Sequence, residues 1–346
     1  MTTTKDAAVT PAPAAPSPST PSAARRLMHT VGLQNLSLIL AIIVLVALIG
    51  SQNSSFFLVS NIKTIGTAVA ISGLVALVQT VVIIMGGIDI SLGSVAGLAS
   101  VTSAMIFTAT GSNAVVSVLG ALVIGSICGL VNGLVVIYGR VTPLIATLAS
   151  LATYKGIAQL VSNGRAQGYT GSDPFYLFLA RGSLIGIPTL IWVLALVAVV
   201  IHLMLRYSRV GRNIYAVGGN DTAARLAGIN INEHILFVFG LAGFIAAISG
   251  LLITARTGSG QPVSGSEGLE FQAVTAAALG GAALRGGKGS IAGTILAVIL
   301  LGVLVNGMTM LGFNPFWQNV AQGVLLVVAV VVQQLSSGER RVGLPK

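Results

Sequence analysis

The stretch Gly211-Arg-Asn-Ile-Tyr-Ala-Val-Gly-Gly-Asn-Asp-Thr-Ala-Ala-Arg-Leu-Ala-Gly228 is a short polar island between two long apolar runs. Asn220 or Asp221 is suited to cap a short helix within it, and Gly228 is suited to end that helix in a left-handed conformation. A chain that only turns between two apolar runs needs no such ordered helix. The island therefore predicts a small folded surface presented to the aqueous phase, with a solvated loop as the alternative.

The composition indicates an all-α polytopic membrane protein. Of 346 residues, 54% are hydrophobic and only 8% are charged, whereas soluble domains carry about 25% charged residues. The net charge of +10 comes from basic residues dispersed at the ends of apolar runs, which argues against a nucleic-acid partner. The single Cys128 excludes a disulfide framework and a cysteine metal site.

Apolar runs divide the chain into a membrane domain and two tails. Residues 1–33 are predicted to be a disordered tail, 34–335 the transmembrane domain with a polar loop at 206–232, and 336–346 a second tail. About ten segments are expected, and 271–284 is short enough to be half-spanning if it is buried in protein. The predicted segments are 34–50, 62–86, 88–109, 114–138, 142–161, 183–205, 233–254, 271–284, 290–311 and 316–335.

Basic residues set the predicted orientation, because cytoplasmic loops carry an excess of Lys and Arg. With both termini cytoplasmic, 13 basic residues fall inside and 4 outside, and Lys155 lies within a span. The inner set is Lys5, Arg25, Arg26, Arg140, Arg206, Arg209, Arg212, Arg225, Arg285, Lys288, Arg340, Arg341 and Lys346; the outer set is Lys63, Arg165, Arg181 and Arg256. The polar island is then cytoplasmic.

The same orientation places residues 162–182 and 255–270 outside as two long loops. Loops on a rigid scaffold commonly carry recognition, so these are candidates for docking a substrate-delivering protein, with ordinary connection as the alternative. The charged candidates for docking are Arg165, Asp173, Glu267 and Glu270.

Four polar residues within the spans are candidates for lining a translocation path: Gln79, Asp89, Asn132 and Asn306. A carboxylate at membrane depth faces protein or water. Asp89, at the helix break after Gly86-Gly87, therefore lines a path, holds a helix N-terminus, or pairs with a basic residue across the cytoplasmic mouth. The three amides can each bond a passing hydroxyl group or bond across two helices.

The string Gly280-Gly-Ala-Ala-Leu-Arg-Gly-Gly-Lys-Gly-Ser290 resembles a phosphate-binding loop only superficially. Lys288 is followed by Gly289 rather than Ser or Thr, and an apolar helix rather than a strand precedes it. We therefore expect a tight turn here and no ATP site in this chain.

Three stretches closely resemble the ribose/xylose/galactose branch of ABC sugar-importer permeases: Gly86-Gly-Ile-Asp-Ile-Ser-Leu-Gly93, the island Gly211–Gly228, and the run Gly265–Gly293. The resemblance extends over about residues 34–335. One departure is Glu270-Phe-Gln272, where the family usually has Glu-Leu-Asp.

The resemblance implies a permease subunit of an ATP-driven importer in the bacterial inner membrane, which translocates a monosaccharide or related polyol. Its implied partners are a cytoplasmic ATPase subunit that binds the ATP, a periplasmic sugar-binding protein, a second permease copy in a homodimer, and membrane lipid. No cofactor is expected on this chain. The residues expected to engage the ATPase are Gly218, Asn220, Asp221, Ala223, Ala224 and Gly228. An ion-coupled secondary transporter of a small polar solute is the alternative.

The charge asymmetry makes a testable prediction about orientation. After removal of Cys128, single cysteines at Ala223 and Ser172 are labelled in intact cells with a membrane-impermeant thiol reagent. We expect labelling at position 172 and not at 223, since the polar island is predicted to be cytoplasmic. The reverse pattern would overturn the orientation.

Overall fold

A computed structural model describes residues 33–336, with side chains described from Gln34 to Val331. The predicted tails 1–33 and 336–346 lie outside this range except at their boundary residues. The basic residues outside it are Lys5, Arg25, Arg26, Arg340, Arg341 and Lys346.

The described chain is mostly helical with very little strand, which confirms the all-α prediction. Two two-residue strands, β1 Ser183–Leu184 and β2 Ile187–Pro188, form a small antiparallel hairpin. The helices are α1 Leu33–Gln52, a 3-10 turn Ser54–Phe57, α2 Val59–Ile84, α3 Leu92–Ala109, α4 Ala114–Tyr138, α5 Pro143–Ser162, α6 Pro174–Arg181, α7 Thr189–Tyr207, α8 Arg209–Gly219, α9 Asp221–Leu226, α10 Ile231–Thr257, α11 Leu269–Leu279, α12 Ile291–Met310 and α13 Pro315–Ser336.

Eight helices of the described range are long and apolar enough to cross a membrane. The helix α11 is a shorter apolar helix, and α13 is apolar over Pro315–Val331. Each of the ten predicted segments overlaps one of these ten helices. The third begins at Leu92 rather than 88, because residues 85–91 are not helical. The sixth begins at Thr189, after the hairpin, and the eighth ends at Leu279, before a glycine turn. The side of the membrane that each loop faces stays a prediction.

Glycines let α4 and α10 contact each other along their backbones. A Cβ atom added to Gly129 would overlap the carbonyl oxygen of Phe239, and one added to Gly243 would overlap that of Gly125. Small residues permit this close approach in membranes, where van der Waals contact replaces the hydrophobic drive between helices. Gly125 and Gly129 of α4 therefore serve close packing against α10.

The segment 258–268 between α10 and α11 runs alongside α3 without forming a helix. The backbone N–H of Gln261 donates to Ser100 Oγ at 2.9 Å, and a Cβ on Gly97 would lie 2.7 Å from the carbonyl oxygen of Pro262. Non-helical backbone at the depth of membrane helices is tolerated only where protein covers it. This placement corrects the expectation of a simple exterior loop over 255–270, because the small face of α3 accommodates the returning chain.

The start of this segment does contact the other predicted exterior loop. Gln167 and Gly260 exchange two backbone hydrogen bonds of 2.9 and 2.8 Å, and Thr170 N–H donates to the carbonyl oxygen of Gly258 at 2.9 Å. The two loops therefore lie at the same end of the helix assembly.

Candidate functional site

The polar island folds into two helices, of which the sequence predicted only the second. The helix α8 begins at a cap in which Ser208 Oγ accepts from the N–H of Gly211 at 2.9 Å. Its buried face consists of Gly211, Ile214 and Val217. The spacing of these residues at three-residue intervals behind a serine is the amphipathic signal that sequence analysis missed.

The helix α9 has the ends that its sequence predicts. Asn220 Oδ1 accepts from the N–H of Ala223 at 2.9 Å, which satisfies one of the donors that a helix start leaves free. At the other end Gly228 adopts φ +83°, and the N–H of Ile229 donates to the carbonyl oxygen of Ala224 at 3.0 Å. The island is therefore an ordered surface rather than a solvated loop.

The residues that α9 exposes are not all those expected to engage the ATPase. Ala224 is only 4% exposed and belongs to the chain's own apolar core, whereas Leu226 is 85% exposed. Ala224 is one of the residues expected to engage the ATPase, and its burial corrects that expectation, because its side chain packs within the chain. The exposed residues of α9 include Asp221, Ala223 and Leu226.

Gly218 also makes its closest contacts inside the chain. A Cβ atom there would overlap the carbonyl oxygen of Ile84 at the end of α2 and would lie 2.7 Å from the nitrogen of Gly287. The N–H of Gly287 donates to the Ile84 carbonyl oxygen at 2.8 Å. The backbones of α8, of the end of α2 and of the turn around Gly287 thus meet at Gly218. This contact fixes the position of α8 against the membrane helices.

The turn over residues 280–290 is part of this contact. Ala283 N–H donates to the carbonyl oxygen of Lys288 at 2.9 Å, and Tyr215 Oη on α8 donates to the carbonyl oxygen of Gly289 at 2.9 Å. Burial raises the pKa of Tyr215, so its hydroxyl stays protonated as a donor. The predicted tight turn is present.

Asp89 holds the break between α2 and α3 in a buried network. Its Oδ1 accepts from the backbone N–H of Ser91 at 2.8 Å and from Ser91 Oγ at 2.6 Å. The amide of Gln79 pairs with the main chain of Asp89: Nε2 donates to the carbonyl oxygen at 2.9 Å, and Oε1 accepts from the N–H at 3.3 Å. These bonds fasten α2 to the non-helical residues that follow it.

The network continues into α4 and α5. Asn132 Nδ2 donates to Ser91 Oγ at 2.8 Å, and Tyr154 Oη donates to Asn132 Oδ1 at 3.1 Å. Gln79, Asp89 and Asn132 are each at most 1% exposed. In this conformation they support the helix break, and a role in the translocation path stays a prediction for them.

Asn306, the fourth path candidate, lines a cavity of about 490 Å³ between α2, α10, α11 and α12. Its Nδ2 donates to Asn61 Oδ1 at 2.9 Å. Other polar residues around this cavity include Thr64, Arg256 and Gln272.

A larger cavity of about 820 Å³ lies between α5, the segment 258–268, α11 and α13. On its wall Lys155 Nζ donates to Glu267 Oε1 at 2.6 Å, so Lys155, which lies within the span α5, forms an ion pair with the segment 258–268. Sequence analysis missed the polar side chains that α13 adds. They are Asn319 and Gln322, three residues apart in a largely apolar helix, and this spacing is the signal that puts them on one face.

The predicted docking residues do not share one surface. Arg165 is exposed, while Asp173 caps α6, because its Oδ1 accepts from the N–H groups of Phe175 and Tyr176 at 3.0 and 3.1 Å. Glu267 is exposed on the larger cavity. Glu270 is only 6% exposed, because the segment 258–268, here called the returning segment, brings it against α3. This burial corrects the expectation that Glu270 lies on a docking surface.

Comparison with known proteins shows the family to which the chain belongs. Residues 61–330 match the family described as branched-chain amino acid transport system / permease component. The chain is 35% identical over 310 residues to the ribose import permease protein of Escherichia coli strain K12, covering 89% of this chain and 96% of that protein. It is 34% identical over 305 residues to the ribose import permease protein of Bacillus subtilis strain 168 (88% and 94%). It is 34% identical over 281 residues to the L-arabinose transport system permease protein of Escherichia coli strain K12 (81% and 84%).

No solved structure matches the chain. The match over 61–330 and these relatives confirm the family resemblance predicted from the three motifs. The chain belongs to the family of transport-system permease components.

The contact at Gly218 predicts that alanine is harmful at residue 218 and tolerated at its neighbour, residue 219. Helix propensity alone favours Ala over Gly at both positions. Gly218→Ala should nevertheless destabilise the protein by about 1–3 kcal/mol and lower uptake, because the added methyl group forces α8 off α2. Gly219→Ala meets open space and should preserve both properties. Thermal unfolding of the purified variants and substrate uptake by cells measure the difference; equal behaviour of the two variants would contradict it.

Proposed function

We propose that this chain is the membrane-spanning subunit of an ATP-driven importer that translocates a monosaccharide or related polyol delivered by a periplasmic binding protein. It lies in the inner membrane and works with an ABC ATPase subunit and that binding protein. The observation that carries the proposal is the capped, exposed helix α9, which is seated on the membrane helices of a chain whose relatives are named sugar permeases.

The printed names of the relatives support a sugar as the transported solute. Two of them name ribose and one names L-arabinose, and both compounds are monosaccharides. A sugar presents hydroxyl groups that donate and accept hydrogen bonds, so neutral amide and hydroxyl side chains suit its passage.

The larger cavity is the best candidate for a stage of the translocation path. Its volume of about 820 Å³ falls in the range of roughly 300–1,000 Å³ typical of ligand pockets. Ser94, Thr275, Asn319 and Gln322 contribute neutral polar groups to its wall. Within the described residues no hydrogen bond occupies the amides of Asn319 and Gln322, which leaves both available to a hydroxyl group.

Coupling would run through the backbone contact at Gly218. A partner that displaces α9 must also displace α8, and α8 contacts both the end of α2 and the 280–290 turn. The residues after α2 carry Asp89 and its network, so motion at α9 is transmitted to the membrane helices through packed backbone. We propose that ATP binds only to the partner ATPase and that a second copy of this permease completes the assembly.

An ion-coupled secondary transporter is not favoured. Such a carrier usually relies on an ionisable residue at the membrane midplane. Asp89 already accepts two hydrogen bonds from Ser91, and the relatives are named import or transport-system permeases.

Reconstitution tests the proposed function directly. Proteoliposomes contain the permease with an ABC ATPase subunit and a periplasmic sugar-binding protein from the same organism, and ribose, L-arabinose, a hexose and a polyol are supplied in turn. We expect ATP-dependent accumulation of at least one of these compounds only when all three proteins are present, and no ATP hydrolysis by the purified permease alone. Accumulation driven by a proton or sodium gradient without the ATPase would refute the importer.

The exposed face of α9 makes a second prediction. Leu226→Asp should lower co-purification of the ATPase subunit and uptake by about tenfold or more, because a carboxylate replaces an apolar group in a desolvated contact. Asn232→Ala, which changes an exposed residue in the first turn of α10, should leave both unchanged. If Leu226→Asp retains parental levels of both, α9 is not the coupling surface.

A further inference from the structure

A third cavity, of about 470 Å³, lies where α7, α8 and the first turn of α12 meet. Its basic side chains are His202 and Arg206 on α7 and Arg212 on α8. His202 and Arg206 are four residues apart and therefore share one helix face. The cavity thus gathers three nitrogen-bearing side chains from two helices at the end of a membrane span.

The charge of this cavity is not neutralised by acidic residues of the described chain. No carboxylate lines it, and among the side chains described from residue 34 to 331 neither Arg206 nor Arg212 forms an ion pair with a carboxylate. The Arg206 guanidinium lies over the Tyr207 ring with its carbon 5.5 Å from the ring centroid. Arg212 Nη1 donates to the carbonyl oxygen of Tyr207 at 3.2 Å. Both guanidinium groups are thereby held by neutral partners and keep further N–H donors for an anion.

The cavity also has an apolar side. Leu205 and Ile291, which both line it, are 5% exposed and form an apolar floor. Val199 and Leu203 are 54% and 48% exposed on α7, and helical spacing puts them on the same face as Arg206. An exposed apolar track along a membrane span therefore ends at a basic cavity.

We propose that this cavity binds the phosphate group of an anionic phospholipid, with an acyl chain lying along Val199 and Leu203 of α7. Arginine matches phosphate geometry through paired N–H donors, and basic pockets between membrane helices bind lipid headgroups. A soluble phosphate would use the same arginines but would gain nothing from the apolar track. The site is separate from the proposed sugar path and does not depend on it.

The test measures lipid binding to the full-length purified permease in a neutral detergent. Native mass spectrometry and thermal unfolding follow titrations with dioleoyl phosphatidylglycerol, with dioleoyl phosphatidylcholine, and with inorganic phosphate. The site variant is Arg206→Gln/Arg212→Gln. Its matched control is Arg209→Gln/Arg225→Gln, which removes two exposed charges of the same region that do not line the cavity.

We expect phosphatidylglycerol to bind the parental protein and the control alike, and to bind the site variant about tenfold or more weakly, since two basic contacts are lost. Equal weakening in the control would show diffuse attraction to positive charge and overturn the site. Equal binding of phosphatidylcholine would overturn the requirement for an anionic lipid. Stabilisation by inorganic phosphate that matches phosphatidylglycerol would identify a soluble-anion site instead. If the double variant does not fold, Arg212→Gln is compared with Arg209→Gln by the same criteria.

Discussion

The contact of Gly218 with the Ile84 carbonyl oxygen is the constraint on which the arrangement of α8, α9 and the 280–290 turn depends. At this point α8 lies against the end of α2, and the N–H of Gly287 bonds to the same carbonyl oxygen. A side chain at residue 218 would separate these segments. Because helix packing in a membrane gains little from the hydrophobic effect, such backbone contacts supply much of the cohesion between elements.

This contact connects the exposed helix α9 to the buried break between α2 and α3. The break is itself fastened by Asp89 and Ser91 to Asn132 on α4, and through it to Tyr154 on α5. A buried polar network whose members are all paired resists partial disruption, because an orphaned buried group is costly. The elements from α2 to α5 are therefore joined as a connected unit rather than packed only as separate helices.

Local signals in the sequence predicted local structure well, and tertiary placement poorly. The cap at Asn220 and the left-handed Gly228 depend only on neighbouring residues, so α9 could be predicted. The burial of Ala224 depends on the orientation of α9 against α8 and α10, which no local pattern specifies. Glu270 was misplaced for a similar reason: the returning segment follows the small face of α3, a partner more than 150 residues earlier in the chain.

The returning segment also explains why both polar cavities lie where they do. Ser264 and Gly265 line the smaller and the larger cavity, so this stretch of backbone is a shared wall. A membrane helix satisfies its own main-chain groups, whereas the segment 258–268 relies partly on other elements, as in the bond from Gln261 to Ser100. The side chains that bond to this backbone must be polar, and they bring polar groups to the depth of the membrane helices. The irregular backbone of this segment packs less closely than two regular helices do, so space remains on both sides of it. The helices α4 and α10, by contrast, touch along their backbones.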